Sequence, residues 1–282
     1  MSERKFAVIG HPIGHTMSPF IHRRLFDLAH TQGVYDIIDV APEEFAVKIK
    51  ALNELAGYNV TIPNKQVIIP FLDHLDPKAE LYGSVNTVRN GEIREGFTTD
   101  PDGFLKALKA NNIPFEGDVV IIGCGGVART FVYEAALAGC KITIAVRPDD
   151  VQIRDALSKD VETKLKKADI NTCLISDLTD LALCPDLLVN ATPVGMYPKT
   201  DAMPVPVKVV DRCRCVFDAV YNPLETKLIQ AAKANGAAAA GGMTMLVWQA
   251  VVSHEIWDSS VYNNDDINQL IEDAAKEQTK LF

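Results

Sequence analysis

Two short segments of this chain bring together residues able to move a proton. Asn59-Val60-Thr61-Ile62-Pro63-Asn64-Lys65 carries Thr61 and Lys65 off the end of an apolar run, and Asn86 and Thr98-Thr99-Asp100 supply an amide and a carboxylate from further along. A lysine partly withdrawn from water exchanges a proton near neutral pH. Alone it reads as a surface charge; an aspartate beside it would hold it in place and favour its charged form. Upstream, His15-Thr16-Met17-Ser18 places two hydroxyls just before a helix, where hydroxyls and free N–H groups hold a carboxylate. Ser18 reads equally well as a simple helix cap.

A third segment points to a nucleotide. Gly123, Gly125 and Ala128 fit the pattern G-x-G-x-x-(G or A), after the β-branched run Asp118–Ile122 and at the opening of a helix. The first glycine permits the tight turn and the second lets backbone approach a diphosphate. The small third residue lets helix and strand pack closely. The next strand ends Ala145-Val146-Arg147, with arginine where an NAD site has an acidic residue. A guanidinium there pairs with a 2′-phosphate, which favours NADP. Asp149 and Asp150 follow at once, and either could reach a ribose instead.

The elements that must carry these residues read as alternating strands and helices. Lys5–Ile9, Tyr35–Val40 and Tyr58–Ile62 are strand-like, and Val85–Val88 and Ile93–Phe97 form a hairpin through Asn90-Gly91. Helices are expected from Ser18, as cap, with Pro19 first in the helix, to Ala29, and over 42–55, 64–72 and 102–111. On the last of these Phe104, Leu105 and Leu108 share a face. Past residue 117 the strands Asp118–Ile122, Lys141–Val146, Leu187–Asn190 and Val216–Asp218 are continuous apolar runs. Such runs suit a parallel sheet buried on both faces. The fold class is α/β, with a doubly wound sheet in the second part. Two helices, Met243–Trp257 and Ile267–Lys280, end the chain. The expected divisions are 1–102, 103–239 and 240–282.

Composition narrows the function classes. The chain has 282 residues, 48% hydrophobic and 23% charged, with 28 Lys and Arg against 37 Asp and Glu, for a net charge of −9. That is ordinary for a globular protein and argues against disorder. An acidic chain with a pI near 5.2 argues against a nucleic-acid partner. The polar start, Met1-Ser2-Glu3-Arg4-Lys5, does not read as a signal peptide, and no apolar run is long enough to span a membrane. None of Cys124, Cys140, Cys173, Cys184, Cys213 and Cys215 forms a Cys-x-x-Cys pair or has zinc spacing. They read as reduced thiols in a cytoplasmic protein without a metal.

Seven motifs follow one another in a familiar order: Gly10 to Pro19, Asn59 to Lys65, Ser84-Val85-Asn86-Thr87, Thr99-Asp100, Gly123 to Ala128, Asn190 to Met196, and Gln249. From Phe6 to Gln249 the chain resembles the shikimate dehydrogenase family, which includes the quinate/shikimate dehydrogenases. The resemblance implies an N-terminal α/β substrate domain and a doubly wound (Rossmann) NADP-binding domain, with C-terminal helices returning to the first. It implies reversible, NADP-dependent reduction of 3-dehydroshikimate to shikimate, a step toward chorismate and the aromatic amino acids. Lys65 and Asp100 would be the catalytic pair. Thr16 and Ser18 would hold the substrate carboxylate, and Thr61, Asn86, Tyr221 and Gln249 would line its pocket. Gly123, Gly125, Gly126, Val127, Ala128, Arg147 and Thr192 would hold NADP. The implied partners are small molecules, and the chain would act as a monomer or homodimer.

The chain departs from the family pattern at several contacts. Thr16 stands where serine is usual, Thr98 where asparagine is usual, Pro101 and Thr244 where glycine is usual, and bulky Trp248 adjoins Gln249. Val146 and Pro148 flank Arg147 where asparagine and threonine or serine are common, which removes two polar contacts to the adenosine phosphate. Pro101 is expected to aim Asp100 differently. These departures bear on substrate and cofactor identity more than on reaction type. The alternatives are a quinate/shikimate-type dehydrogenase using NAD, and a non-catalytic ligand sensor on the same fold. Retention of both Lys65 and Asp100 argues against the sensor.

Overall fold

Short apolar runs pair into two six-stranded sheets, each the centre of its own unit. The computed structural model describes residues 4–14, 16–181 and 183–281, so His15 lies outside the described residues. One unit holds the chain up to Gly103 together with Val247–Leu281; the other holds Phe104–Leu246.

In the first unit, β1 (Arg4–Gly10) lies parallel to both β2 (Gly33–Asp39) and β3 (Gly57–Val60). Beyond β3 the sheet turns antiparallel through the hairpin β5 (Thr87–Asn90) and β6 (Arg94–Phe97), and β4 (His74–Leu75) closes the edge. The strand order is β2-β1-β3-β5-β6-β4. Because strand side chains alternate between faces, β1 feeds two cores. Ala7 and Ile9 pack with Tyr58, Val60, Phe45 and Ile68, whereas Phe6 and Val8 pack with Tyr35, Phe26 and Trp257. Helices α1 (Ser18–Leu28), α2 (Phe45–Leu52) and α3 (Pro77–Tyr82) belong to this unit, as do most of α9 (Met243–Asp258) and all of α10 (Asn264–Leu281). Trp257 fastens α9 to the sheet, its indole N–H donating to Val88 O at 2.9 Å. A Cβ at Gly57 would lie 2.4 Å from that indole nitrogen, so only glycine fits under the ring.

In the second unit all strands run parallel: β7 (Asp118–Ile122), β8 (Lys141–Val146), β9 (Asp169–Leu174), β10 (Leu187–Asn190), β11 (Cys215–Asp218) and β12 (Ala238–Gly241). Their order, β12-β11-β10-β7-β8-β9, reverses direction between β7 and β10, as in a doubly wound sheet. The unit also contains most of α4 (Asp100–Ala110), with α5 (Gly126–Leu137), α6 (Val151–Lys164), α7 (Val207–Val210) and α8 (Lys227–Ala234).

Several expectations need correction. The segment expected to be helical over 64–72 is a succession of turns ending in one 3-10 turn, Ile69–Phe71. The carbonyl of Lys65 accepts from Val85 N–H at 2.9 Å and the Asn64 amide donates to Val40 O at 2.6 Å. These long-range bonds outcompete a local helix. The expected helix over 42–55 is a 3-10 turn, Pro42–Glu44, followed by α2, which stops at Leu52. Met17, not Ser18, occupies the cap of α1, leaving Ser18 as the first helical residue and Pro19 the second. On α4, Phe104, Ala107 and Leu108 are buried but Leu105 is exposed, since 3.6 residues per turn carries it off that face. Elements β4, β9, β12, α3 and α6 to α8 lacked a strong apolar period. The capping signals of α3, Asp76 accepting from Ala79 N–H at 2.6 Å and Gly83 at φ 57°, were nevertheless readable.

Behind β2, a buried polar chain joins α1 to α9. His22 and His254 are 3.0 Å apart between ring nitrogens, His254 reaches the Tyr262 hydroxyl at 3.0 Å, and that hydroxyl donates to Leu25 O at 3.2 Å. One arrangement of protons satisfies every link with both imidazoles neutral: His22 donates to His254, which donates to Tyr262. Burial pushes both imidazoles below their ordinary value, His254 to about 4. The unfolded chain therefore binds more protons between pH 6.5 and about 4, and folding weakens as the pH falls through that window. Urea midpoints should drop from pH 7.5 to pH 5, at up to about 1.4 kcal/mol per pH unit for each imidazole, and His22→Asn should lessen the slope. A midpoint independent of pH over this range would contradict the neutral pair.

Candidate active site

The turns after β3 and the first turn of α4 meet in the first unit. Lys65 Nζ lies 2.5 Å from Asp100 Oδ2, and the two side chains are only 14% and 4% exposed. Asp100 is the first residue of α4, where an acidic side chain meets free backbone N–H groups. Pro101 falls in the first turn, which asks no N–H of it, and Gly103 N–H makes its bond to Thr99 O at 3.1 Å. The proline therefore leaves the helix start intact.

Asn86 is the hub of the site. Its Oδ1 accepts from Thr99 N–H at 2.7 Å, which fixes the orientation of the amide. Its Nδ2 then donates toward Asp100 Oδ1 at 3.0 Å and Gln249 Oε1 at 3.1 Å. Asp100 is thus held on one oxygen by Asn86 and on the other by Lys65. Asn59 stands one layer behind, donating to Asn86 O, Thr87 Oγ1 and Ser253 Oγ at 3.2, 3.0 and 2.9 Å. Its own oxygen accepts from the Tyr35 hydroxyl at 2.7 Å. Burial holds the Tyr35 hydroxyl well above the ordinary tyrosine value, so it stays protonated. Thr16 Oγ1 donates to Ser18 Oγ at 3.0 Å and accepts Ser18 N–H at 3.2 Å. Thr16, not Ser18, therefore satisfies a helix-end N–H, and the Ser18 hydroxyl is not spent on capping. Thr61 follows β3 directly, its N–H bonded to Ile9 O at 2.8 Å.

In the second unit the glycine turn joins β7 to α5. Gly123 has φ 101°, and a Cβ there would come 2.7 Å from Thr192 Cγ2. Gly125, the cap of α5, makes no side-chain cap bond, and nothing lies within 4 Å of where a Cβ would be at Gly125 or Gly126. Open space, glycine backbone and uncapped helix N–H groups, beginning with Gly126 and Val127, together suit a diphosphate. Ala128 is buried against the sheet, as close helix packing requires. Thr192 leaves the end of β10 and donates to Asn190 Oδ1 at 2.7 Å. Asn190 is held in turn by Asp218 at 2.8 Å, and Asp218 by Thr226 at 2.6 Å. Burial raises the Asp218 carboxyl against the pull of these donors. The glycine turn and the Thr192 turn therefore flank the point where the strand order reverses, the usual ligand crevice of such sheets. Arg147 follows β8, is 70% exposed, and pairs with Asp150 at 2.9 Å. Tyr221 lies just past β11, its hydroxyl pushed up by burial.

The structure thus joins Lys65, Asp100, Asn86 and Gln249 directly, backs Asn86 with Asn59 and Tyr35, and pairs Thr16 with Ser18. It sets Gly123 to Ala128 beside Thr192. Residues 8–88 match the family model described as the shikimate dehydrogenase substrate binding domain. A shikimate dehydrogenase (NADP(+)) of Caldanaerobacter subterraneus subsp. tengcongensis is 34% identical over 271 residues, covering 94% of this chain and 95% of that protein. The chain belongs to the shikimate dehydrogenase family. Two solved shikimate 5-dehydrogenases extend the likeness. That of Thermus thermophilus, in complex with NADP(H) and shikimate, has a TM-score of 0.84 at 30% identity, covering 96% of this chain and 99% of that one. That of Listeria monocytogenes, in complex with shikimate and NAD, has a TM-score of 0.86 at 31% identity, covering 95% and 96%.

Sequence reasoning passed over Tyr35, Thr87, Ser253, Asp218 and Thr226 as site-forming residues. Ser253 follows Gln249 by four residues on one helix, a spacing that puts both on one face. The partners that bring the others to the site lie further off in sequence: Asn59 for Tyr35 and Thr87, and Asp218 for Thr226. Asn86→Ala should strand Thr99 N–H and free one oxygen of Asp100, lowering unfolding free energy by about 1–3 kcal/mol in urea titrations. Gly123→Ala should abolish dinucleotide binding in a fluorescence titration, since the added methyl is strained at that φ and strikes Thr192.

Proposed function

We propose that this shikimate dehydrogenase family member is itself an NADP-dependent shikimate dehydrogenase, interconverting 3-dehydroshikimate and shikimate. The first unit binds the substrate and the second binds NADP. The observation that carries the reading is the shielded Lys65–Asp100 pair, 2.5 Å apart and steered by Asn86. NADP, when bound, gives or accepts the hydride. Gly123, Gly125, Gly126, Val127 and Ala128 would meet its diphosphate, Thr192 would border it, and Arg147 would face its 2′-phosphate.

Lys65 Nζ holds the proton that the ketone oxygen needs as it becomes an alcohol, and takes it back in the reverse direction. Asp100 keeps the ammonium aimed and withdrawn from water. Gln249, Asn86, Thr61 and Tyr221 offer hydrogen-bond partners to the ring hydroxyls. Thr16 and Ser18 hold the carboxylate: the Thr16 hydroxyl, which donates to Ser18 Oγ, turns outward to an anionic acceptor, and the Ser18 hydroxyl joins it. The reaction is read as cytoplasmic, by a monomer or homodimer. An NAD-using, quinate/shikimate-type activity stays as a second reading because Arg147 is already paired with an acid.

Initial rates with shikimate or quinate, against NADP or NAD, test both readings, and the shikimate–NADP pair should be fastest. No turnover with any pair, despite saturable binding, would leave a ligand sensor. Lys65→Ala should lower kcat by about 10²–10⁴ while NADP binding in a fluorescence titration stays unchanged. Near-normal turnover in that variant would remove Lys65 from its role.

A further inference from the structure

The end of β8 offers a 2′-phosphate one cation, and that cation is already engaged. Val146 is buried and Pro148 has no N–H to give, so Arg147 stands between two residues that cannot help it. Arg147 Nε donates to Asp150 Oδ2 at 3.0 Å, and Nη2 lies 2.9 Å from the same oxygen as an ion pair. The backbone builds this pair: Pro148–Asp150 is a 3-10 turn closed by Asp150 N–H on Arg147 O at 3.0 Å, which folds the two side chains together. The same turn reaches the glycine turn, where the Cys124 thiol donates to Asp150 O at 3.7 Å. Asp150 is therefore anchored beside the diphosphate cradle and not on a remote surface.

We propose that Asp150 is a specificity-determining residue that reduces this protein's preference for NADP over NAD. This inference rests on the dinucleotide reading given above. Two effects act in the same direction. A 2′-phosphate carries about −1.5 to −2 charges, so it must share Arg147 with a carboxylate and accept that carboxylate's repulsion. A ribose 2′-hydroxyl has the opposite need, a carboxylate that accepts its proton, and Asp150 supplies one. An arginine alone would select NADP; an arginine held by an aspartate serves both dinucleotides.

The test titrates the whole protein with NADPH and NADH separately, without substrate, by cofactor fluorescence. Wild type is compared with Asp150→Asn, Asp150→Ser and Arg147→Ala. Both Asp150 variants should bind NADPH about fivefold or more tightly and NADH more weakly, an effect of the size of one charge-assisted hydrogen bond. Arg147→Ala should weaken NADPH and leave NADH within about twofold. If both Asp150 variants keep the wild-type ratio of the two affinities within twofold, or shift both affinities equally, the assignment is overturned. Shikimate oxidation by wild type is measured alongside. Absence of turnover with an altered affinity ratio would count against the dehydrogenase reading but not against the role of Asp150. Unchanged affinities with normal turnover would do the reverse.

Discussion

The constraint on which the first unit depends is the withdrawal of an ammonium and a carboxylate from water at contact distance. Burying two charges costs several kcal/mol each unless geometry and further hydrogen bonds offset it, and removing one partner leaves the other stranded at about 3–5 kcal/mol. Lys65 and Asp100 are therefore tolerated only because each is over-determined. The Lys65 backbone is pinned by Val85, and Asp100 by its helix start and by Asn86. The segment that carries Lys65 gives up helical bonding to make this possible.

Asn86 does the most to set the geometry. Its amide cannot be reversed without facing Thr99 N–H with another donor, so the direction of its donation to Asp100 follows from a backbone bond elsewhere. Asn59 repeats the device one layer deeper, with Tyr35, Thr87 and Ser253 as partners. The polar layer is continuous from the Tyr35 hydroxyl through Asn59 and Asn86 to the carboxylate of Asp100. Rigidity of this kind is what a positioned proton relay requires, since small displacements of reacting groups are costly in rate.

The second unit solves a different problem with backbone. A parallel sheet whose strand order reverses between β7 and β10 leaves a crevice there, and the turns leaving those two strands line it. Glycine at φ 101° keeps one turn tight against Thr192, while the buried Asn190–Asp218–Thr226 chain fixes the other. The glycine side of this arrangement was legible from the residues in order; the Asp218 side was not, because its side-chain partners Asn190 and Thr226 are 28 and eight residues away.

The sequence by itself determined the α/β class, the doubly wound second unit, and the identities of Lys65, Asp100, Asn86 and the glycine turn as candidates. Strand burial, turn chemistry and motif order are local properties, written in neighbouring residues. Tertiary structure alone decided that 64–72 is not a helix, that Ser18 is not the cap, and that Tyr35, Asn59 and Ser253 stand behind the site. It alone decided that Arg147 is already bound to Asp150. These outcomes turn on which of several possible hydrogen-bond partners arrives. That is settled by distant segments competing for the same carbonyls, amides and charges once the sheets have formed.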